Sequence, residues 1–234
     1  MTIFAIIIKK KLFLLLNYKV FMKIVAKNTG PIGNNTYLVY DESKNCIIVD
    51  APFECYKAFQ SVIENEGLKP PEYILITHTH FDHIGGLAEL KRHYSNVNIC
   101  VHKDDIFRLS ESKVRISGMT IPIEVTSADI ILKGDETIKC GNITFNVIHT
   151  PGHSPGCICF YNEKEKIVFV GDTLFNLGIG RTDLEGGNYD TLIRSIKNEL
   201  WKLPEDTLVY CGHGENTTIG FEKSNNPFLN ISME

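Results

Sequence analysis

The sequence lacks the features of several large functional classes. No apolar run approaches the roughly 18 residues that a membrane-spanning helix needs, because Lys9–Lys11 divide the apolar N-terminus. No Lys/Arg-rich stripe is present and the formal net charge is −4, so we expect neither a nucleic-acid partner nor a membrane partner. The contents of glycine (18) and proline (9) are ordinary, which argues against a fibrous or disordered chain.

The cysteines form no pattern typical of disulfides or zinc. There are seven, an odd number, scattered through apolar segments. Cys157 and Cys159 are too close in sequence for a zinc knuckle. We interpret all seven as reduced, mostly buried thiols and expect a cytoplasmic location.

The first 21 residues differ from the rest. They hold two short apolar bursts separated by three lysines, and no cleavage site typical of a signal peptide follows. A regular strand pattern begins at Met22. We therefore interpret residues 1–21 as an extension, which a start codon assigned too far upstream would explain, and residues 22–234 as one domain. The alternative is a real N-terminal anchor.

From Met22 onward, strand-like apolar runs alternate with turns and helical patterns. The apolar periodicity predicts helices over residues 54–66, 83–94 and 188–201. A second series of strands begins near residue 127, and residues 110–126 connect the two halves. This plan favours an α+β fold in which two sheets pack face to face with helices outside.

Histidine and aspartate residues cluster where the strand-like runs end. Four lie in "ITHTHFDHIGG", and three follow later strands: His78, His80, Asp82 and His83, then His153, Asp172 and His213. Loops at strand ends are where a rigid frame holds functional residues. Imidazole and carboxylate groups suit zinc, iron or manganese. Because one ion rarely takes seven protein ligands, the set predicts two divalent ions about 3.5–4 Å apart.

The order of the ligands predicts how they divide between the two ions. The first ion is assigned to His78, His80 and His153. The second ion is assigned to Asp82, His83 and His213. Asp172 would bridge them, because it follows Gly171 alone at a strand end. Two such ions, with zinc expected first and iron or manganese as alternatives, would lower the pKa of a bridging water to give hydroxide, which Asp82 would help to orient.

Four motifs resemble those of the metallo-β-lactamase-fold hydrolases: "THTHFDHIGG", "TPGHSPG", "GDTLF" and "GHG". The resemblance covers residues 22–234 and implies a four-layer αβ/βα sandwich, two mixed sheets flanked by helices, with the metals at one edge of the sheets. It also implies that none of the seven ligands is missing. One major class of zinc β-lactamases carries cysteine where this chain has Asp172, so antibiotic hydrolysis is not expected.

Within that family, the stretch "GDTLFNLGIGRTDLEGGNYDTLIRSI" and the ending "GHGENTTIGFEKSNNPF" look most like short bacterial glyoxalase II-type thioesterases. The resemblance implies that the bridging hydroxide cleaves S-D-lactoylglutathione or another 2-hydroxyacyl thioester. Arg181 is expected near the substrate, with a salt bridge to Asp183 or Asp190 as the alternative. Longer glyoxalase II enzymes continue into a helical domain that holds much of the glutathione, so the thiol carrier stays open for this chain.

Other functions remain open at this point. Relatives that share the "GRTD" stretch are mononuclear iron persulfide dioxygenases, which would use His78, His153 and Asp172. A lactonase and a non-catalytic metal-binding scaffold are further alternatives. The remaining histidines at positions 93, 102 and 149 receive no role, and His149 is expected to bond to backbone at a strand end.

Overall fold

Two six-stranded sheets form the frame of the described part of the chain. The structure is a computed structural model that describes residues 22–116 and 118–230. The extension predicted for residues 1–21 lies outside these residues. The seven cysteines all lie within them, buried and unpaired by disulfides, as the sequence predicts.

The first sheet has the strand order β1-β2-β3-β4-β5-β8. Its strands are β1 (Met22–Thr29), β2 (Asn34–Asp41), β3 (Cys46–Val49), β4 (Tyr73–Leu75), β5 (Asn98–His102) and β8 (Ile130–Leu132). The first three pair antiparallel, and β3, β4, β5 and β8 pair parallel. Its place in sequence suggested that the run around Ile130 begins the second sheet. It instead pairs with β5 and completes the first sheet. Residues 110–126 hold a separate hairpin of β6 (Lys113–Ile116) and β7 (Met119–Pro122).

The second sheet has the order β16-β15-β12-β11-β10-β9. Its strands are β9 (Thr137–Cys140), β10 (Ile143–His149), β11 (Ile158–Asn162), β12 (Ile167–Gly171), β15 (Leu208–Cys211) and β16 (Thr217–Thr218). After β12 and the predicted ligand Asp172, the chain forms a short hairpin of β13 (Leu174–Phe175) and β14 (Gly178–Ile179).

Helices cover the outer faces of both sheets. They are α1 (Cys55–Glu66), α2 (Phe81–Ile84), α3 (Leu87–His93), α4 (Tyr189–Asn198) and α5 (Ile219–Asn225), with 3₁₀ turns at Ile106–Ser110 and Leu200–Lys202. The predicted helices at 54–66 and 188–201 are confirmed within a few residues. No helix in the described ranges is long and apolar enough to cross a membrane.

The single helix predicted over residues 83–94 is wrong, because the chain forms two helices separated at Gly85 and Gly86. The loop before α1 passes too close for side chains there. A Cβ on Gly86 would lie 2.3 Å from the carbonyl oxygen of Pro52, and a Cβ on Gly85 would lie 2.3 Å from the Phe53 ring. Glycine therefore permits the approach that turns the histidine loop toward the sheet edge.

The alternation of side chains along the strands produces four layers. In β2, Leu38 and Tyr40 pack with the apolar faces of α1 and α3. Their neighbours Tyr37 and Val39 face the second sheet instead, in a central cluster around the fully buried ring of Phe145. A third cluster packs α4 and α5 on the far face of the second sheet. Each sheet is thus buried on both faces, and its strand ends remain free to carry a site.

Candidate metal centre

The structure brings all seven predicted ligand residues together at one edge of the two sheets. Six of them fall into two groups whose ligand atoms lie within 4.8 Å of one another: His78, His80 and His153 in the first, Asp82, His83 and His213 in the second. These are the two sets predicted from the sequence. The seventh residue, Asp172, forms a further such group with His78 and His83.

The orientation of His153 is fixed by a backbone carbonyl. Its Nδ1 lies 2.7 Å from the carbonyl oxygen of Arg181, which can only accept, so Nδ1 carries the proton. Its Nε2 therefore presents a lone pair to the centre. Nε2 of His153 lies 2.8 Å from Nδ1 of His80 and 3.2 Å from Nε2 of His78.

His78 is held in a matching way. The hydroxyl of Thr77 donates to Asp50 at 2.8 Å, so its oxygen is free to accept from Nδ1 of His78 at 3.3 Å. Nε2 of His78 then also carries a lone pair, facing that of His153. Burial, together with the neighbouring imidazoles, lowers the pKa of His78 well below its ordinary value and that of His80 to about 3, which keeps both rings neutral.

Lone pairs this close repel each other unless a cation lies between them. The first group thus has the electronic arrangement that a divalent ion requires, because His78 and His153 are neutral imidazoles whose outer nitrogens donate elsewhere. Buried acceptors without donors are costly, and coordination of a metal is a common way to satisfy them. The residues present therefore fit a metal ion on chemical grounds.

The second group combines imidazole with carboxylate. Nδ1 of His213 donates to the carbonyl of Gly33 at 3.0 Å, and its Nε2 lies 3.0 Å from Oδ2 of Asp82. A second proton or a metal cation must lie between these two atoms. Burial opposes ionisation of Asp82, but His83 and the hydrogen bond from His213 hold the pKa of its carboxyl below the ordinary value.

Asp172 lies between the two groups. Its Oδ2 is 3.6 Å from Nε2 of His153 in the first group and 3.7 Å from Nε2 of His213 in the second, while Oδ1 is 3.3 Å from Nε2 of His83. Oδ1 is buried and forms no hydrogen bond within the described chain. A buried carboxylate that faces both groups and keeps one oxygen unsatisfied is the arrangement expected of a bridging ligand.

Asp50 supports this centre and was missed by the sequence reasoning. It is 1% exposed and accepts from Nδ1 of His83 at 2.8 Å and from the backbone N–H of Thr77 at 2.8 Å. Burial opposes protonation of His83, yet nearby carboxylates, Asp50 foremost, raise the pKa of its ring well above the ordinary value. The signal was present: "NCIIVD" is a strand-like run ended by a carboxylate, as is the run before Asp172.

Asp105 was missed as well. Its carboxylate accepts from Ser154 Oγ at 2.7 Å and from the backbone N–H groups of Thr79 at 3.1 Å and Gly156 at 2.8 Å. Through these bonds it joins the loop that carries His78 and His80 to the loop that carries His153. No sequence signal marks it, because it lies in a turn among other charged residues.

The centre opens into a cleft of about 820 Å³. This volume lies in the range of roughly 300–1,000 Å³ usual for small-molecule sites. Apolar side chains line much of it: Ile32, Phe81, Ile84, Val114, Ile123, Phe175, Ile179 and Leu184. Arg181 also lines the cleft, and its guanidinium pairs with Asp183 through contacts of 2.7 and 2.6 Å. The salt bridge that the sequence left as the alternative is therefore present, and a role of Arg181 toward the substrate stays a prediction.

Comparison of the sequence with models of protein families identifies its family. A model of the metallo-beta-lactamase superfamily matches residues 29–213, well over half of the chain. The chain belongs to this superfamily. The predicted four-layer sandwich is confirmed with it. Membership in a family of metallo-hydrolases supports an enzyme that uses divalent metal ions on a small-molecule substrate.

Relatives of this chain carry names of this kind. This chain is 42% identical over 211 residues to the probable metallo-hydrolase YqgX of Bacillus subtilis. The aligned region covers 89% of this chain and 98% of that protein. The chain is 37% identical over 199 residues to the hydroxyacylglutathione hydrolase GloC of Haemophilus influenzae, covering 84% and 92% respectively.

Solved structures agree with the fold. The B3 metallo-beta-lactamase BLEG-1 is similar with a TM-score of 0.82 and 38% identity, covering 89% of this chain and 100% of that one. TTHA1623, solved in a di-iron-bound form, has a TM-score of 0.77 and 34% identity, covering 88% and 100%.

Proposed function

We propose that this protein is a binuclear metal-dependent thioesterase of the glyoxalase II type, which hydrolyses S-2-hydroxyacylglutathione or a similar thioester. The observation that carries the proposal is the pair of ligand groups that meet at Asp172. A single-ion enzyme would need only one of these groups. The likeness to GloC supports the thioester class, and the di-iron form of TTHA1623 supports two ions.

The side chains would divide the work as follows. His78, His80 and His153 would hold one ion, Asp82, His83 and His213 the other, and Asp172 would contact both. Bound divalent cations, zinc first among them, would supply a polarised thioester carbonyl and a water of lowered pKa. Asp82 would help to orient that water, and its Oδ2 atom lies 3.0 Å from Nε2 of His213 in the second group.

The cleft supports an acyl-thioester substrate. Its apolar side chains would limit the water around a bound carbonyl, which would strengthen the electrostatic interactions in the site. Arg181 would attract an anionic end of the thiol carrier, although its pairing with Asp183 weakens this field. We expect the carbonyl to lie over Asp172, with the thiol directed along the cleft toward Arg181.

Metal counting together with substrate profiling tests the proposal. The purified protein is analysed for metals and assayed in parallel with S-D-lactoylglutathione, glutathione persulfide, a homoserine lactone and a β-lactam. Two ions per chain and preferred cleavage of the thioester are expected. One iron per chain with oxygen consumption would instead establish a persulfide dioxygenase. A preference for the lactone or the β-lactam, the substrate class in the name of BLEG-1, would reassign the hydrolase.

A variant pair separates catalysis from general damage. His80→Ala removes one imidazole of the first group, and we expect turnover to fall at least a hundredfold while the second ion is retained. His93→Ala is the matched control, because His93 lies away from the metal centre. Its ring stacks on that of Tyr56 with the centroids 3.6 Å apart. Unchanged turnover in His80→Ala would contradict every catalytic version of the proposal.

A further inference from the structure

A second cluster of metal-ligating side chains lies outside the centre described above. It consists of His102 at the end of β5, His149 at the end of β10, and Asp104. The two imidazoles stack with their centroids 4.1 Å apart and their planes at 20°. One ring comes from each sheet, so the cluster lies where the two halves of the fold meet.

Backbone carbonyls fix the tautomers of both rings. Nε2 of His102 lies 3.0 Å from the carbonyl oxygen of Lys133, and Nε2 of His149 lies 2.9 Å from that of Pro155. A carbonyl can only accept, so both Nε2 atoms carry protons and both Nδ1 atoms of the neutral rings present lone pairs. The backbone bond expected for His149 is therefore present, and it leaves the other nitrogen of that ring available.

The two Nδ1 atoms are poorly satisfied by the protein. Nδ1 of His102 accepts a long bond of 3.3 Å from the backbone N–H of Asp104. Nδ1 of His149 forms no hydrogen bond with the described residues. Burial, with a contribution from the stacked His149, lowers the pKa of His102 and so favours its neutral, metal-binding form.

We propose that His102, His149 and Asp104 form a separate binding site for a borderline divalent cation such as zinc. One ring nitrogen of each histidine and an Asp104 carboxylate oxygen lie within 4.8 Å of one another, and Nδ1 of His102 is 3.7 Å from Oδ2 of Asp104. A tetrahedral zinc ion with bonds of roughly 2.0–2.2 Å holds its ligand atoms about 3.3 Å apart. The two stacked rings must therefore turn relative to each other for both Nδ1 atoms to point at one ion. Water completes the coordination, because the Asp104 side chain is 40% exposed.

The surroundings set the affinity and the consequence of binding. Nζ of Lys103 lies 2.9 Å from the Asp104 carboxylate and competes with the cation for it. A Cβ on Gly134 would lie 2.5 Å from Cβ of His149, so glycine at this position lets the backbone pack closely against the base of that side chain. A bound ion ties the last residue of β5 to the last residue of β10. It also adjoins Asp105, which connects the two ligand loops of the main centre.

Zinc stoichiometry tests this site independently of the main centre. Wild type and Asp104→Asn are equilibrated with buffered zinc, and bound metal is counted. We expect wild type to bind one ion more than the variant, whatever number the main centre holds, so failure here leaves the thioesterase proposal untouched. Asp104 is partly exposed and asparagine keeps its shape, so we expect this variant to fold. Affinity at the extra site falls at least tenfold on loss of the carboxylate.

Two further variants make the test specific. Lys103→Ala removes the competing ammonium and is expected to tighten zinc binding about two- to fivefold. His149→Phe keeps a stacking ring without a ligand and is expected to lose the ion, whereas His93→Phe, the control at another stacked histidine, keeps it. Equal zinc counts in wild type and Asp104→Asn, or equal losses in His93→Phe, overturn the proposal.

Discussion

Replacing Asp50 with asparagine tests whether the centre depends on a carboxylate that no ligand pattern reveals. Within the described residues, the Asp50 side chain is hydrogen-bonded only to donors: the N–H and the hydroxyl of Thr77 and Nδ1 of His83. A carboxylate accepts all of them. An asparagine amide of the same shape has only one acceptor atom. Its NH₂ group must face either Thr77 or His83, so that two hydrogen-bond donors face each other.

The cost follows from this mismatch. A hydrogen bond to a charged group contributes about 1.5–3 kcal/mol, and an unsatisfied buried donor costs about 1–3 kcal/mol. We therefore expect Asp50→Asn to lower the free energy of unfolding of the metal-free protein by about 2–4 kcal/mol. Loss of the partner that orients His83 should also weaken binding at the second ligand group by about 10–100-fold.

Urea denaturation, followed by circular dichroism and by the fluorescence of Trp201, measures the first effect. Metal titration of the folded variant measures the second. The control is Asp206→Asn, whose exposed carboxylate pairs with Lys166 at the surface and whose loss should change stability by less than about 0.5 kcal/mol. A change in Asp50→Asn no larger than in this control, with unchanged metal affinity, would refute the reasoning.

Four other outcomes are expected. Gly212→Ala should abolish turnover and metal binding, because its Cβ would lie 2.3 Å from Oδ1 of Asp172, whereas Gly178→Ala makes ordinary contacts and should retain both. Arg181→Ala should raise KM for an anionic thioester about five- to tenfold with kcat within twofold, and a change confined to stability would contradict a role in substrate binding. Phe145→Ala should cost roughly 3–5 kcal/mol in urea unfolding, because the ring is 0% exposed between the sheets. The cysteines should resist a thiol reagent at pH 8 until the protein unfolds. Burial raises the pKa of five of them to about 12, so the reactive thiolate is rare below that pH. Rapid labelling of the native protein would contradict this.

The position of the seven side chains at strand ends predicted that they meet at one sheet edge, because local sequence encodes that geometry. A buried strand is recognisable from its apolar run, and its end must emerge at a sheet edge. The residue that follows, His78 or Asp172, therefore has a predictable place. The same reasoning would have found Asp50, had a carboxylate after β3 been treated like the one after β12.

Other features depend on contacts between distant residues and could not be predicted. The break at Gly85 and Gly86 exists because the loop before α1 passes across the helix, and nothing local indicates that approach. The pairing of β8 with β5 and the stacking of His102 on His149 are likewise decided by how the two halves pack.

The sequence by itself determined the layered fold and the seven residues at the sheet edge, because strand periodicity and rare residue types carry that information locally. Only the tertiary structure decided how those residues are held. The proton positions at His153 and His213 depend on carbonyls from Arg181 and Gly33, which lie far from them along the chain. Such orientation arises from hydrogen bonds across the packed sheets, and they form only once the chain has folded.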